Sequence, residues 1–361
     1  MSELASNDSI YVPILKWKRG EQGALSQLSS TAKRRLLPII EIPPIPYDYE
    51  KAEFKKTIDS YLVDIGKALE KANNTNRKFM VDLQLLPDMT MRDGRHVIRY
   101  IFDEAAKKSI TVVPVVSSHD SQHYINAVKG ICEKKKSLCF RMVDADFGNL
   151  KNSITTLLQL YNIGVSEIDL VLDFKYISQS NINTIVASAE HNINNIPNID
   201  RWRMLAICAT SFPENLSIVK ANTVEQIFRA EWAVWNELRK KSLKRLPAFG
   251  DYAIANPKLL EMDPRLMKVS ANIRYTSTEW WYVHKGASIQ KAGFTQIVAM
   301  CANLIAQPYY SGETFSVGDK TINDCASPTC LKPGNSETWR RVGTNHHIEF
   351  VISQLASHFA P

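Results

Sequence analysis

Short apolar segments recur about eight times over roughly the first 250 residues, and most are followed by a segment with helical periodicity. The first is Ile10–Lys18 and the eighth is Leu246–Tyr252. An apolar run of about four to eight residues between polar ones is typical of a strand covered on both faces, as in a parallel sheet. Eight alternating strands and helices in about 250 residues match the size of a closed β/α barrel. We therefore predict an α/β fold, a (β/α)8 TIM-like barrel.

A doubly wound open sheet is the alternative that the same alternation allows. Such sheets commonly hold dinucleotides at a G-x-G-x-x-G turn, and none of the predicted strand–helix turns has this pattern. The phosphate-binding loop G-x-x-x-x-G-K is also absent from the sequence. The barrel is therefore favoured over the open sheet.

The last third of the sequence departs from the strand–helix unit. Residues 272–285 contain two apolar stretches separated by Ser277-Thr278-Glu279, which predicts a β-hairpin, inserted as a flap at the barrel rim. Residues 308–344 are rich in Gly, Pro, Ser and Asn, which predicts an irregular extension along the rim, followed by a helix from about Asn345 to His358. Residues 1–361 are thus expected to form a single barrel domain with these additions.

One local pattern predicts where a long helix begins. Thr223-Val224-Glu225-Gln226 has the order of a capping box, in which Thr and Gln satisfy the free backbone amides of the first helical turn. Apolar residues follow at helical spacing up to Leu238. The helix is therefore expected to begin at Thr223.

The composition indicates which kinds of ligand and which cellular compartment suit the protein. The net charge of +7 suits an anionic ligand, but the basic residues are scattered, which argues against a nucleic-acid-binding surface. No apolar run approaches the roughly 20 residues that cross a bilayer, and the first ten residues are polar, so no membrane span or signal peptide is expected. Four of the six cysteines lie in strand or helix patterns, as buried free thiols do, which favours a cytoplasmic setting.

Charged and polar side chains lie near the carboxyl ends of the predicted strands. In a parallel barrel these ends meet at one face, where barrel enzymes hold their active sites. A charge inside an apolar strand is costly unless it meets an opposite charge, water or a ligand. Two interpretations are open: an ion network that closes the barrel mouth, or a ligand site. The residues expected to converge are Lys16, Lys18, Glu41, Asp82, Gln84, Ser117, Arg141, Asp173, Lys175 and Asp251.

The residue types in this group suit two chemical roles. Glu41, Asp82 and Asp173 are the candidate catalytic residues, because carboxylates serve as a general base or as ligands of a divalent metal such as Mg²⁺. The basic side chains would bind a phosphate or carboxylate group. Metal-dependent phosphoester cleavage would use both sets, whereas carboxylates locked onto Lys or Arg would indicate binding without catalysis. The basic candidates are Lys16, Lys18, Arg141 and Lys175.

Further ligand-binding candidates come from the eighth strand and the C-terminal third. His346 and His347 are adjacent, and neighbouring residues on a helix point about 100° apart, so the two rarely bind one ion. Either one histidine packs inward, or one reaches the rim as a proton donor or phosphate contact. In the hairpin, the aromatic residues near Arg274 either anchor the flap or stack on a base or sugar. The candidates are Asp251, Tyr252, Arg274, Tyr275, His346 and His347.

Five motifs occur in order along the chain and together span nearly all of it. They are Tyr11-Val12-Pro13-Ile14-Leu15-Lys16 with Lys18-Arg19-Gly20-Glu21, Leu37-Pro38-Ile39-Ile40-Glu41-Ile42-Pro43, Phe249-Gly250-Asp251-Tyr252, Asn272-Ile273-Arg274-Tyr275 and Asn345-His346-His347-Ile348. This set resembles the beta family of proteins, found in phages and bacteria. Because some members lie near phage-defence genes, the resemblance implies a role in conflict between phage and host. The family offers no assigned catalytic residues to carry over.

The residues and the resemblance together give two functional expectations. In the first, the barrel binds a small anionic ligand, phosphorylated or nucleotide-like, at the carboxyl ends of its strands, and acts as a phosphoester hydrolase if the carboxylates are free to work. In the second, the protein is a non-catalytic sensor or interaction module of a phage-defence or counter-defence system. Its partner would then be a phage or host protein.

Overall fold

A computed structural model of the protein describes residues 10–72, 78–86, 88–259 and 269–358. Eight strands within these residues form one parallel sheet whose spatial order follows the chain from β1 to β8. The strands are β1 (Ile14–Lys16), β2 (Ile39–Glu41), β3 (Lys78–Asp82), β4 (Thr111–Val116), β5 (Leu138–Val143), β6 (Ile168–Tyr176), β7 (Met204–Thr210) and β8 (Ala248–Gly250).

The sheet closes on itself between β8 and the residues at β1. The backbone amide of Val12 donates to the Phe249 carbonyl at 2.9 Å, and the amide of Ile14 donates to the Asp251 carbonyl at 2.7 Å. Tyr11 also bridges in parallel to Phe249. These bonds remove the two free edges that an open sheet would leave. The barrel prediction is confirmed, and the doubly wound open sheet is wrong.

Helices surround the barrel and cover the outward faces of its strands with apolar side chains. Ser121 accepts a hydrogen bond from the amide of Tyr124 and caps the helix after β4. No helix in the described ranges is both long and apolar enough to cross a membrane. The helices are Arg19–Ser26, Ser30–Arg35, Ile58–Leu62, Ile65–Ala72, Val97–Ala106, Gln122–Cys132, Asp144–Phe147, Leu150–Tyr161, Ile182–Asn195, Ala230–Arg239, Ile289–Ala292, Gln296–Ile305, Val317–Cys325 and Ser336–His358, with short 3₁₀ turns at Val165–Glu167, Gln179–Asn181 and Ile199–Arg201.

A second, antiparallel sheet lies at the barrel rim, and we name it the cap sheet. Its strands are Thr223–Phe228, Trp280–Ser288 and Ser270–Thr276, with Trp280–Ser288 in the middle. The prediction of a helix from Thr223 is wrong, because this segment pairs with the hairpin as a third strand. The helix begins at Ala230 instead. A two-stranded ribbon, Tyr47–Asp48 with Glu53–Phe54, follows β2.

The segment expected to be irregular, 308–344, is partly helical. Val317–Cys325 is a helix capped by Ser316, whose hydroxyl accepts from the amide of Asp319 at 3.0 Å. The final helix begins at Ser336 rather than near Asn345 and runs to His358. Its Gly343 lies so close to the cap sheet that a Cβ there would stand 2.9 Å from the carbonyl oxygen of Arg274. The final helix thereby joins the cap sheet to the barrel.

The barrel interior is filled in three tiers along its axis. At the amino ends of the strands, Asp169 accepts hydrogen bonds from Lys78 Nζ at 2.6 Å and from Arg203 Nη2 at 2.8 Å. Charged residues return at the carboxyl ends, which we name the barrel mouth. An apolar tier separates the two charged ends, so the barrel is a packed core and not a pore. The apolar tier includes Ile14, Ile39, Met80, Val113, Val171 and Ala206.

Candidate functional site

Arg141, in the middle of β5, is the centre of the barrel mouth. It is only 3% exposed. Its Nη1 atom donates to Glu41 Oε1 at 2.8 Å and also to the carboxylate of Asp82, while its Nη2 atom donates to Asp173 Oδ2 at 2.7 Å. The Nη2 atom also donates to the Tyr252 hydroxyl at 2.8 Å, and that hydroxyl donates to Asp173 at 2.6 Å. One guanidinium thus joins carboxylates from three different strands.

Lys16 is the second cation of this group. Its ammonium donates to Glu41 and to the carbonyl oxygen of Pro257, the latter at 2.8 Å. Gln84 donates to the other oxygen of Glu41 at 2.7 Å. We name Lys16, Glu41, Asp82, Arg141 and Asp173 the mouth network. It holds three carboxylates and two cations, so it carries one excess negative charge when all five are ionised.

Two carboxyls of the mouth network have pKa values shifted in opposite directions. Burial opposes ionisation of Glu41, but the charges of Arg141 and Lys16 outweigh it, and the pKa of this carboxyl is lowered. Burial raises the pKa of Asp82, Arg141 offsets only part of that rise, and the nearby charge of Glu41 adds to it. Of these two carboxyls, Asp82 therefore takes up a proton more readily.

The three carboxylates of the mouth network are all engaged by Arg141. Glu41, Asp82 and Asp173 each accept a hydrogen bond from Arg141 and are at most 5% exposed. Among the described residues, no group of three His, Cys, Asp or Glu side chains is arranged to hold a metal ion. The donor set therefore does not fit Mg²⁺ here, and the geometry is that of a buried ion network.

Asp251 does not join the mouth network. The adjacent Tyr252 faces the barrel interior, so the alternation of side chains along a strand turns Asp251 outward. Its Oδ2 atom lies 2.9 Å from Nε2 of His347, and its Oδ1 atom accepts from the hydroxyl of Tyr11. The other ring nitrogen of His347 lies 2.8 Å from Thr276 Oγ1. This buried chain of contacts pins the final helix to the barrel and the cap sheet.

His346 makes a separate set of buried contacts. Its Nδ1 atom lies 2.8 Å from Asp319 Oδ2, and its Nε2 atom lies 2.9 Å from the carbonyl oxygen of Thr276. Tyr275 donates to the same Asp319 carboxylate at 2.7 Å and stacks on the His346 ring. Both histidines thus pack inward toward different carboxylates. The structure buries Tyr275, His346 and His347 between secondary-structure elements.

A cleft of about 660 Å³ opens between the barrel mouth and the cap sheet. Lys16 is part of both the cleft wall and the mouth network, so the network forms the floor on that side. Glu21 and Glu214 are its acidic members within the described ranges. The basic members outnumber them three to one. These are Lys16, Lys18, Lys258, Lys285, Arg274 and Arg340.

Some of these cations are already engaged. Lys258 pairs with Glu214 at 3.3 Å, and the ammonium of Lys285 donates to two backbone carbonyls at 2.7 Å each. Lys18 is exposed at the cleft entrance and forms no ion pair with another described residue. The excess positive charge is therefore concentrated near Lys18 and the two arginines.

Arg274 is a cleft cation that has hydrogen-bond partners but no ion pair among the described residues. Its Nη1 atom donates to the Ile254 carbonyl at 2.6 Å, and its Nε atom donates to Asn272 at 3.2 Å. Its guanidinium also lies over the ring of Phe212, 4.8 Å from the centroid. No carboxylate within the described ranges pairs with it. Burial, followed by the neighbouring charge of Arg340, lowers the pKa of Arg274, and the charge of Glu21 offsets only part of that shift.

The structure brings together only part of the predicted set. Lys16, Lys18 and Arg274 line the cleft, while Arg141 and Tyr252 lie beneath its floor. Lys175 is exposed, and only its backbone amide contacts the mouth network, by donating to Asp173 at 2.9 Å. Its side chain is not among those that line the cleft.

Two cleft residues were not anticipated. Glu21 lies shortly after the first strand, two residues from the exposed Arg19. Nothing in the local sequence predicts that it is buried. Arg340 lies in the segment that we expected to be irregular. The final helix carries Arg340 and brings its Nε atom to 3.7 Å from Oε1 of Glu21. No local sequence signal predicts that contact, because the two residues are more than 300 positions apart.

Comparisons with known proteins agree with the resemblance. The model of the Beta protein family matches residues 11–353. "Protein beta" of Enterobacteria phage P4 is 24% identical over 362 residues, covering 95% of this chain and 92% of that protein. A mutant tryptophan synthase alpha-subunit from Pyrococcus furiosus aligns over 68% of this chain and 88% of its own, at 12% identity and a TM-score of 0.37. Triosephosphate isomerase from Bartonella henselae aligns over 67% and 92%, at 10% identity and a TM-score of 0.35.

Proposed function

The chain belongs to the Beta protein family, and we propose that its barrel binds a small anionic ligand, phosphorylated or nucleotide-like, in the cleft under the cap sheet. The observation that carries this proposal is the guanidinium of Arg274, which faces the cleft with no carboxylate partner among the described residues. An arginine in a desolvated site is stabilised by an anion that it can bind through two parallel hydrogen bonds. Arg340 and Lys18 supply further positive charge beside it.

We favour binding over hydrolysis by the mouth carboxylates. A general base or a metal-binding carboxylate needs a free oxygen in contact with the substrate or ion. Glu41, Asp82 and Asp173 instead accept hydrogen bonds from Arg141 beneath the cleft floor. Their role in this proposal is to fix Lys16 and the floor, which supports a sensor more than a phosphoester hydrolase.

Binding of phosphate-containing probes tests the proposal. Isothermal titration calorimetry with inorganic phosphate, ribose 5-phosphate and AMP should give measurable affinity for the wild type. Arg274→Gln should lose about tenfold or more, since a hydrogen bond to a charged group contributes about 1.5–3 kcal/mol. Lys151→Gln is the matched control, because it removes one exposed charge outside the cleft. Equal losses in the two variants would show that only the net charge matters.

Native mass spectrometry of the freshly purified protein is an independent test. A retained molecule of defined mass in the wild type, absent from Arg274→Gln, is the expected result. Retention of the same molecule by both proteins would place its site elsewhere.

The family also suggests a biological setting, which we propose as conflict between phage and host. The relative named above is encoded by Enterobacteria phage P4. Plaque assays on cells that express the wild type or Arg274→Gln would test whether the cleft matters for that role. We expect a change in plaquing efficiency with the wild type that the variant lacks. No change with either protein would contradict the role.

A further inference from the structure

Glu21 is a buried acidic residue on the wall of the cleft. It is 5% exposed, and its Oε2 atom accepts no hydrogen bond from the described residues. Its Oε1 atom lies 3.7 Å from Nε of Arg340, which is longer than a hydrogen bond. A buried carboxylate oxygen without a donor is costly. Glu21 also lines the cleft, so a ligand bound there could supply the donor once the side chain turns this oxygen toward it.

We infer that the anionic ligand of this cleft is a phosphorylated sugar, free or as part of a nucleotide, and that Glu21 accepts a hydrogen bond from one of its hydroxyl groups. This inference rests on the proposed function. Carboxylates bind sugar hydroxyls in this way in dinucleotide-binding proteins, where an acidic residue accepts from the ribose. A hydroxyl is neutral, so it can donate to Glu21 without adding positive charge to a cleft that already has an excess.

The neighbouring residues place the phosphate and the hydroxyl close together. Arg274 Nη1 and Arg340 Nη1 both donate to the carbonyl oxygen of Ile254, at 2.6 and 3.4 Å, so the two guanidinium groups converge. The same Arg340 approaches Glu21 through Nε. An anion held by the two arginines would therefore lie beside the carboxylate and be repelled by it. A hydroxyl between the phosphate and Glu21 would separate the two negative charges and give the carboxylate a donor.

Discrimination between ligands of equal charge tests this inference. Calorimetry would compare ribose 5-phosphate with cyclopentylmethyl phosphate, which has a similar ring but no hydroxyl groups. The wild type should bind the sugar phosphate about tenfold or more tightly, as expected for a hydrogen bond to a charged acceptor. Glu21→Gln should reduce that preference to about threefold or less, and its affinity for inorganic phosphate should stay or rise, since a repelling charge is removed.

The outcomes separate this inference from the proposed function. Equal wild-type affinity for the two ring phosphates, with phosphate binding lost in Arg274→Gln, would overturn the role of Glu21 and leave anion binding intact. No affinity for any phosphate would overturn both. The wild-type preference itself needs no variant, so the test holds even if Glu21→Gln folds poorly. Tighter binding of AMP than of ribose 5-phosphate would identify the nucleotide as the source of the sugar phosphate, and equal binding would identify the free sugar phosphate.

Discussion

Removing the guanidinium at the centre of the barrel mouth should destabilise the protein strongly. Arg141→Ala deletes the donor to Glu41, Asp82 and Asp173 and leaves Lys16 as the only cation among them. All three carboxylates are at most 5% exposed, so water cannot replace the lost hydrogen bonds without opening the barrel. The variant must therefore either bury unpaired charge or take up protons.

The expected loss can be bounded from these contacts. Breaking a buried ion pair by removing one partner costs about 3–5 kcal/mol. Proton uptake limits the cost, because neutralising a carboxyl at pH 7 requires about 1.4 kcal/mol for each unit by which its pKa lies below 7. We therefore expect a loss of about 3–5 kcal/mol at pH 7 and a smaller loss at pH 5. Arg141→Lys should lose less, since it keeps the charge but cannot reach three carboxylates at once.

Urea denaturation followed by circular dichroism at both pH values measures these losses. Arg203→Ala is the matched control, because it removes a guanidinium from the ion cluster at the opposite end of the barrel. Both variants should be destabilised. Only Arg141→Ala should also weaken phosphate binding, because Glu41, which holds Lys16 in the cleft wall, loses its contact with Arg141. A stability loss below about 1 kcal/mol, the range of exposed ion pairs, would refute the assignment of Arg141 to a buried network.

Three further predictions concern the same structure. The pKa of Glu41 is lowered in the folded protein, so the stability that this carboxylate contributes is present above its usual pKa and is lost as the pH falls through its folded pKa. The pKa of Asp82 is raised, so the stability linked to its protonated form is lost as the pH rises through its folded pKa. Denaturation at pH 7 should therefore show Glu41→Gln less stable than Asp82→Asn, by about the 1.5–3 kcal/mol of one hydrogen bond to a charged group. Asp319→Asn should lower the free energy of unfolding by about 1–3 kcal/mol, measured in the same way, because buried partners lose their charged acceptor. Gly343→Ala should cost about 1–3 kcal/mol and also weaken phosphate binding in calorimetry, because its Cβ would press on the backbone of Arg274.

The barrel was predictable because its signal is local and repeated. Each buried parallel strand is a short apolar run, and each covering helix has its own periodicity, so the architecture follows without long-range information. The placement of Arg141 was also predictable. A cation in the middle of an apolar strand must face inward to counter-charges, and in the structure Asp82 and Asp173 are among its partners.

Other predictions failed where local patterns compete with tertiary contacts. Thr223–Gln226 has the order of a capping box, yet this segment forms an edge strand of the cap sheet, in which Gln226 lies opposite Tyr282. Adjacent residues of a strand face opposite sides, so Asp251 and Tyr252 could not both point into the barrel. Strict use of that alternation in β8 would have excluded Asp251.

The cleft itself was beyond local analysis. Its wall combines the end of β1, the cap sheet and the final helix, so its charges come from positions as distant as Lys18 and Arg340. A single sequence carries no signal for contacts at such separation. The burial of Glu21, which depends on this packing, could therefore be found only from the structure.

The most direct test of anion binding in the cleft is anomalous diffraction from a crystal soaked in selenate, a tetrahedral dianion that mimics phosphate. Arginine nitrogens bind such oxygens at about 2.7–2.9 Å, so the selenium peak should lie about 4 Å from the guanidinium nitrogens of Arg274 and Arg340. The peak should be absent from crystals of Arg274→Gln. Peaks that occur only at exposed lysines outside the cleft, in both proteins, would contradict the account.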